Sequence, residues 1–385
     1  MLKNSLLVLA SLVLAVGMAE AGLRLAGIAY PEFNRLDPEL GWSPRPNTEG
    51  FHALEGRAWI KINAEGFRDI DHDTAKPAGT FRIAVLGDSF AEGREVPLEQ
   101  VFWKVLERKL GACPQTRNRK IETLGFAVNG YGTAQEFLVL KKHVWKYRPD
   151  AVLLTVFTGN DILNNSRELD RHPDRPYFAL KNNQLILQRE NLDSDSFRTK
   201  KFITDIKHGI YNKLRTLQLT RQAYKKIRYG LAHENRPLIE QLNAGLNAAV
   251  FAPPTTPDWD TAWRITERLI GMAAHEIRQH PETAFWIATL SAPAQVYPNP
   301  AVRAEIARSL GVPDLRKPDR RIAALAEKLG VPAVSLVHDL AAYAETHKTR
   351  LHGNAGFAGG HWNAAGHRIA GERLATALCG LLGRP

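Results

Sequence analysis

A serine hydroxyl attacks an acyl carbon near neutral pH only when a base takes its proton and fixed donors hold the developing oxyanion. In this chain of 385 residues the serine best placed for such work is Ser89. It follows Arg82-Ile83-Ala84-Val85-Leu86-Gly87-Asp88, an apolar run rich in β-branched residues that stops at a glycine. Such a run reads as a buried strand of a parallel sheet, ending in a tight turn that leads into a helix. Open α/β sheets bind ligands at the carboxyl ends of their strands, so a serine there is placed to meet substrate. Taken alone, Gly-Asp-Ser is a weak signal, because a serine after a strand is more often a helix cap or turn residue. Asp88 reads as a brace for that turn.

Three more blocks follow in order: Val128-Asn129-Gly130-Tyr131-Gly132-Thr133, then Phe157-Thr158-Gly159-Asn160-Asp161, then Gly360-His361-Trp362-Asn363-Ala364-Ala365-Gly366-His367. Each follows a strand-like run or opens a helix. With Gly87-Asp88-Ser89, the four blocks resemble those of the SGNH (GDSL-type) hydrolases, a family of esterases, acyl hydrolases and carbohydrate deacetylases. The resemblance runs from about residue 80 to the carboxyl terminus. It implies Ser89 as nucleophile, His361 as base, and an oxyanion hole made by the backbone N–H of Ser89, the N–H of Gly130 and the side-chain amide of Asn160. Glycine suits position 130 because a backbone that approaches an acyl oxygen has no room for a Cβ. Asp161 reads as a cap of the helix that follows. His367 belongs to the last helix and reads as structural, and His338 and His352 stand isolated.

One position departs from the family pattern. An aspartate is expected three residues before the histidine, but residue 358 is Ala, beside Gly359 and Gly360. Asp339, expected at the end of the fifth strand, could orient the ring instead, or a backbone carbonyl could.

The elements that must position these residues alternate. Strands are expected at Ile83 to Leu86, Ile121 to Leu124, Ala151 to Phe157, Ala284 to Leu290 and Ala333 to Val337. Helices are expected at Glu99 to Leu110, Ala134 to Trp145, Thr261 to Arg278, Asp319 to Leu329 and Ala364 to Leu382. Strands alternating with helices give a parallel sheet with right-handed crossovers. The resemblance adds a flavodoxin-like three-layer α/β sandwich with strand order 2-1-3-4-5. In that order the first and last helices lie side by side, which could bring Cys113 and Cys379 into a disulfide; two separate buried thiols are the alternative. No cysteine spacing suits a structural metal site, and the mechanism needs no cofactor.

Residues 1–26 read as a signal peptide or a membrane anchor. Met1-Leu2-Lys3-Asn4 precedes an uncharged apolar run from Ser5 to Ala19, with Ala19-Glu20-Ala21 offering small residues for cleavage. Export to the periplasm or retention at the inner membrane follows. Residues 27–80 form an N-terminal extension of short strands and turns, as on membrane-associated bacterial SGNH proteins; Trp42, Phe51, Trp59 and Phe67 argue that it packs against something. Residues 81–385 form the hydrolase domain, interrupted at about 185–258 by a helical basic insertion. From Arg198 to Arg228 that insertion carries ten Lys and Arg against Asp205 alone. It reads as a lid helix with a solvated basic face, or as a helix lying on an anionic membrane or acidic polymer.

The net charge of +11 is spread along the chain, and no nucleic-acid-binding motif accompanies it. Anionic partners such as phospholipid headgroups or acidic glycans fit better. The expected activity is serine esterase hydrolysis through a Ser/His acyl-enzyme, on an O-acetylated glycan or envelope polymer or on a lipid ester. An O-acetyltransferase using the same pair, or a binding factor on a decayed hydrolase fold, are the alternatives.

Overall fold

The computed structural model describes residues 2–116, 119–233, 236–354 and 356–382. The extension contributes two antiparallel hairpins, β1 (Asn34–Asp37) with β2 (Gly41–Pro44) and β3 (Glu49–His52) with β4 (Ala58–Lys61). The central strands are β5 (Thr80–Gly87), β6 (Lys120–Ala127) and β7 (Ala151–Phe157). A third hairpin, β8 (Tyr177–Lys181) with β9 (Gln184–Gln188), precedes the helical part of the insertion. The sheet is completed by β10 (Ala284–Leu290) and β11 (Ala333–Ser335).

β5, β6, β7, β10 and β11 pair in parallel in the order β11-β10-β7-β5-β6, which is the expected 2-1-3-4-5. Every residue of β5 is buried, as a strand covered on both faces by helices requires. Its side chains alternate between two cores. Ala84 and Leu86 join Trp263, Leu269 and Ile322 from the Pro257–Arg278 and Lys317–Leu329 helices. Ile83 and Val85 join Phe102, Leu340 and Leu374 from the Phe102–Gly111, Leu336–His347 and Ala364–Leu382 helices. This is a three-layer sandwich.

The structure shifts several boundaries. The second helix is α-helical only from Thr133 to Val139 and continues as a π turn over Leu140–Val144. β11 ends at Ser335, and a helix starts at Leu336. The basic run is two helices, Asp195–Lys213 and Arg215–His233, broken at Leu214, whose extended φ of −110° interrupts the first. Of the aromatic residues in the extension Phe67 is buried, whereas Trp59 remains 41% exposed with its ring edge-on to Phe51.

The extension is locked into the sheet. Buried Arg68 donates to the carbonyls of Glu92, Gly93 and Val96, and Asp69 Oδ2 accepts from the N–H of Gly125 in β6 at 2.9 Å. The turn just after Ser89 is thereby held from outside the central sheet.

Cys113 and Cys379 form a disulfide with a Cα separation of 5.9 Å. The Phe102–Gly111 and Ala364–Leu382 helices approach closely at Gly371, where a Cβ would collide with the Phe102 carbonyl. The bridge closes a loop of 266 residues, and such cross-links stabilise by ~2–4 kcal/mol, chiefly through the unfolded chain. A Cys379→Ser protein should lose about that much in urea unfolding, whereas an unchanged unfolding curve would show the bridge contributes nothing.

The first helix, Leu2–Leu25, is long and apolar enough to cross a bilayer, with a mean hydropathy of 2.2 over Lys3–Leu25 and exposed side chains along most of its length. A signal sequence and an anchor both satisfy that description.

Candidate active site

Ser89 opens a one-turn helix, Ser89–Glu92, directly beyond β5. Asp88 caps it, its Oδ1 accepting from the Phe90 N–H at 2.9 Å, so Asp88 does brace the turn. Gly93, in the left-handed region at φ +61°, ends it. The serine is nearly buried, and its Oγ lies 2.8 Å from Nε2 of His361.

His361 arrives on a loop clamped from both sides. Trp362, fully buried, donates from Nε1 to Ser291 Oγ at 2.9 Å. Ser291 Oγ lies 3.0 Å from His352 Nε2, and His352 Nδ1 lies 2.9 Å from the Gly360 carbonyl. Burial pushes the His352 pKa down to about 3, so its ring is neutral. One tautomer then fits: Nδ1–H donates to Gly360, and Nε2 accepts from Ser291. His352, isolated in the sequence, is a positioning residue for the loop. His367 is structural as expected, fully buried with Nδ1 accepting from the Phe102 N–H at 3.3 Å.

The acid that orients His361 comes from the extension. Glu55 Oε2 lies 2.8 Å from His361 Nδ1 and accepts from the His361 backbone N–H at 3.2 Å. Two glycines make room for it. A Cβ on Gly56 would collide with the Glu95 backbone, and a Cβ on Gly360, at φ +83°, would come within 2.7 Å of Glu55 Oε2. Asp339 does not serve: it lies on the first turn of the Leu336–His347 helix, where buried Leu336, Val337 and Leu340 turn it outward. There its carboxylate is 47% exposed and pairs with His338. At Ala358, where the family pattern would place an acid, the backbone N–H donates to Gln241 Oε1 of the insertion at 2.8 Å.

A second carboxylate, Glu95, sits 3.4 Å from His361 Nδ1. Burial works against a charged imidazole here, but Glu95 and the hydrogen bond from Glu55 outweigh it and push the His361 pKa up to about 10. Glu95 is itself pushed up by burial, with the Glu55 charge adding to the effect. Glu55 is held below its ordinary range: burial opposes its charge, and the hydrogen bonds and charge of His361 outweigh burial. The ion pair therefore favours the imidazolium form of His361. It also delays release of the free base to higher pH. Glu95→Gln removes a negative charge beside the ring, so the acid limb of kcat/KM should move to lower pH. An unmoved limb would mean that Glu95 is already neutral in the free enzyme.

Gly130 lies in the turn after β6 at φ +78°, a conformation that favours glycine. Its turn is pinned by three side chains from elsewhere in the chain. Trp42 Nε1 donates to the Asn129 carbonyl at 3.0 Å, Arg175 Nη1 to the Gly130 carbonyl at 2.8 Å, and the Asn129 N–H to Glu92 Oε2 at 2.8 Å. Because a trans peptide sets C=O and N–H in opposite directions, the bond from Trp42 fixes where the Gly130 N–H points. Asn160 shares a cavity of about 240 Å³ with Ser89, His361, Glu55, Phe157 and Tyr229. Asp161 is not a cap; its Oδ2 accepts from the Phe157 N–H at 2.8 Å, tying the end of β7 to the turn. Burial raises Asp161 and Glu136 well above the ordinary carboxylate range and Asp88 to about 6.

The residues read from the sequence as Ser89, His361 and Asn160 thus meet at one cavity, with Gly130 in the adjoining turn, and Asp339 lies elsewhere. Sequence reading missed Glu55, Glu95 and His352. Only the Glu55-Gly56 pair in the extension carries a local trace, a glycine beside an acid in a turn.

No family model matches the chain, and no curated protein matches it. Solved structures similar to it include an acetyl xylan esterase at TM-score 0.39 and 11% identity, covering 77% of this chain and 100% of that one. A lipase from a goat rumen metagenome aligns at TM-score 0.39 and 13% identity over 78% of this chain and 99% of its own. A lipase/acylhydrolase from Enterococcus faecalis aligns at TM-score 0.37 and 13% identity over 78% and 96%. Likenesses this distant carry no argument about activity; what the site can do follows from its own geometry.

Proposed function

We propose that this chain is a serine esterase of the SGNH type, exported and held at the outer face of the inner membrane, acting through an acyl-enzyme on Ser89. The observation that carries the reading is the continuous relay from Ser89 Oγ through His361 to Glu55, with spacings of 2.8 and 2.8 Å, opening on a cavity. His361 Nε2 takes the hydroxyl proton as Oγ attacks the ester carbonyl, and Glu55 holds the ring in the tautomer that leaves Nε2 free. The Ser89 and Gly130 N–H groups and the Asn160 amide receive the oxyanion, whose collapse releases the alcohol protonated by His361. Water activated by the same histidine then attacks the acyl-enzyme, and Ser89 leaves with its proton restored.

The favoured substrate is an O-acetylated glycan or envelope polymer. A cavity of about 240 Å³, walled by Phe157, Leu246 and Phe357, suits a short acyl group better than a fatty chain. Purified protein should hydrolyse p-nitrophenyl acetate faster than longer esters and release acetate from an acetylated polysaccharide. A preference for long-chain esters would overturn the glycan assignment and leave the esterase standing. Absence of hydrolysis, together with no labelling of Ser89 by a serine-reactive phosphonate, would overturn both.

A further inference from the structure

Among the described residues, the basic insertion presents an apolar face that is left exposed. Phe202, Ile206 and Ile210 recur at one-turn spacing on the Asp195–Lys213 helix, and Ile227 and Leu231 do so on the Arg215–His233 helix; each is half exposed or more. Exposed Lys207, Lys213, Lys226 and Arg228 are interleaved with them. The opposite face is fixed by polar contacts to the extension. Tyr211 Oη donates to the Tyr30 carbonyl at 3.0 Å, the Tyr30 N–H to Gln218 Oε1 at 2.8 Å, and Gln222 Nε2 to the Ala53 carbonyl at 3.2 Å. The apolar side chains are therefore held outward by the fold and are not waiting to collapse onto it.

The joint between these helices is also where the apolar N-terminal helix is attached. Glu20, near the end of that helix, accepts from the N–H groups of Arg215 at 3.0 Å and Thr216 at 2.9 Å, capping the Arg215–His233 helix from another element. Arg24 adds a bond to the Lys213 carbonyl. A 24-residue helix is roughly 36 Å long, enough to cross a hydrocarbon core of about 30 Å. Where that helix leaves the bilayer, the Leu214 joint and its exposed face must lie at the interface. Apolar residues interleaved with lysine and arginine are the composition of a helix that lies in the plane of an anionic leaflet.

We propose that the two insertion helices form an interfacial platform that beds into an anionic phospholipid surface beside the N-terminal anchor. The same helix that displays Ile227 places Tyr229 in the lining of the catalytic cavity. The docked platform thus sets the site close above the headgroups. The proposal stands independently of the reaction at Ser89.

The two native cysteines are bonded to each other, so one introduced thiol can carry an environment-sensitive dye. Full-length Ile206→Cys and Ile227→Cys proteins would be labelled and reconstituted into vesicles of phosphatidylcholine with phosphatidylglycerol, with Glu282→Cys, exposed at the opposite end of the parallel sheet from Ser89, as reference. The platform predicts blue-shifted emission at 206 and 227, quenched by brominated acyl chains, more strongly than in phosphatidylcholine alone, and neither change at 282. Emission at 206 and 227 that matches the reference would overturn the proposal. So would a shift that appears only on adding an acidic polysaccharide, which would make the face a glycan surface. A shift that grows with protein density at fixed lipid would assign it instead to a second copy of the chain.

Discussion

Exchanging Ser89 for alanine should reduce ester hydrolysis by about 10⁶, in line with removal of the nucleophile from a serine protease triad. Its Oγ lies 2.8 Å from His361 Nε2, and both residues line the cavity that holds Asn160. The loss should fall on kcat, because the cavity walls and the proposed oxyanion donors are untouched. Folding should be unaffected: the bond from the Ser89 hydroxyl to Asp88 Oδ2 is long at 3.4 Å, and the turn rests on the Phe90 N–H to Asp88 bond and on Arg68. Circular dichroism and thermal unfolding of the purified variant check this. A variant that is folded and fully active would remove Ser89 from the mechanism.

The second large effect is expected at a residue before the central sheet begins, in the turn between β3 and β4. Glu55→Gln keeps the size of the side chain and a carbonyl oxygen near His361, but it also places an amide donor where only an acceptor belongs. It can therefore favour the tautomer with the proton on Nε2, which cannot take the Ser89 proton. The equivalent exchange in a serine protease costs ~10⁴ in turnover, and a loss of that order is expected here. Glu95 at 3.4 Å could supply part of the missing acceptor, so the Glu55→Gln, Glu95→Gln double variant should fall further than either alone. In Glu55→Gln the imidazolium also loses the hydrogen bond that raises its pKa, so the residual activity should reach its plateau at lower pH than in the native enzyme. A Glu55→Gln enzyme within a few-fold of native turnover would show that the backbone and Glu95 suffice to orient the ring.

The sign at His361 follows from its folded environment. Its pKa is raised by a partner, so the stability it contributes is fully present below its unfolded pKa near 6.5 and is lost as pH rises toward about 10. Glu55 works in the opposite sense: its depressed pKa contributes stability above its unfolded value, lost as pH falls through the folded one. Attachment of the Glu55 loop to the His361 loop is thus favoured at neutral pH, where both partners carry charge.

The amino-acid order alone determined what is local. The run from Ile83 to Leu86 is apolar and rich in β-branched residues, as a buried strand requires, and every residue of β5 is buried. The alternation of strands with helices required a parallel sheet, and the four ordered blocks placed Ser89, Gly130, Asn160 and His361 at its carboxyl edge. The first and last helices, adjacent in that strand order, put Cys113 and Cys379 within bonding range. What the sequence could not determine depends on contacts made across hundreds of residues by elements with no periodic signature. A fifth strand running to Val337 would put Asp339 at its end, but β11 stops at Ser335, and burial of Leu336 and Val337 in the helix that follows turns the carboxylate to solvent. Glu55 is 306 residues from His361 in the chain. It sits in a turn whose composition says only that it is a turn, and it becomes an acceptor for the imidazole because Arg68 and Asp69 fasten the extension to the sheet and because Gly56 and Gly360 allow close approach. A hydrogen bond between two loops is decided by where their supports are anchored, and that is a property of the packed molecule.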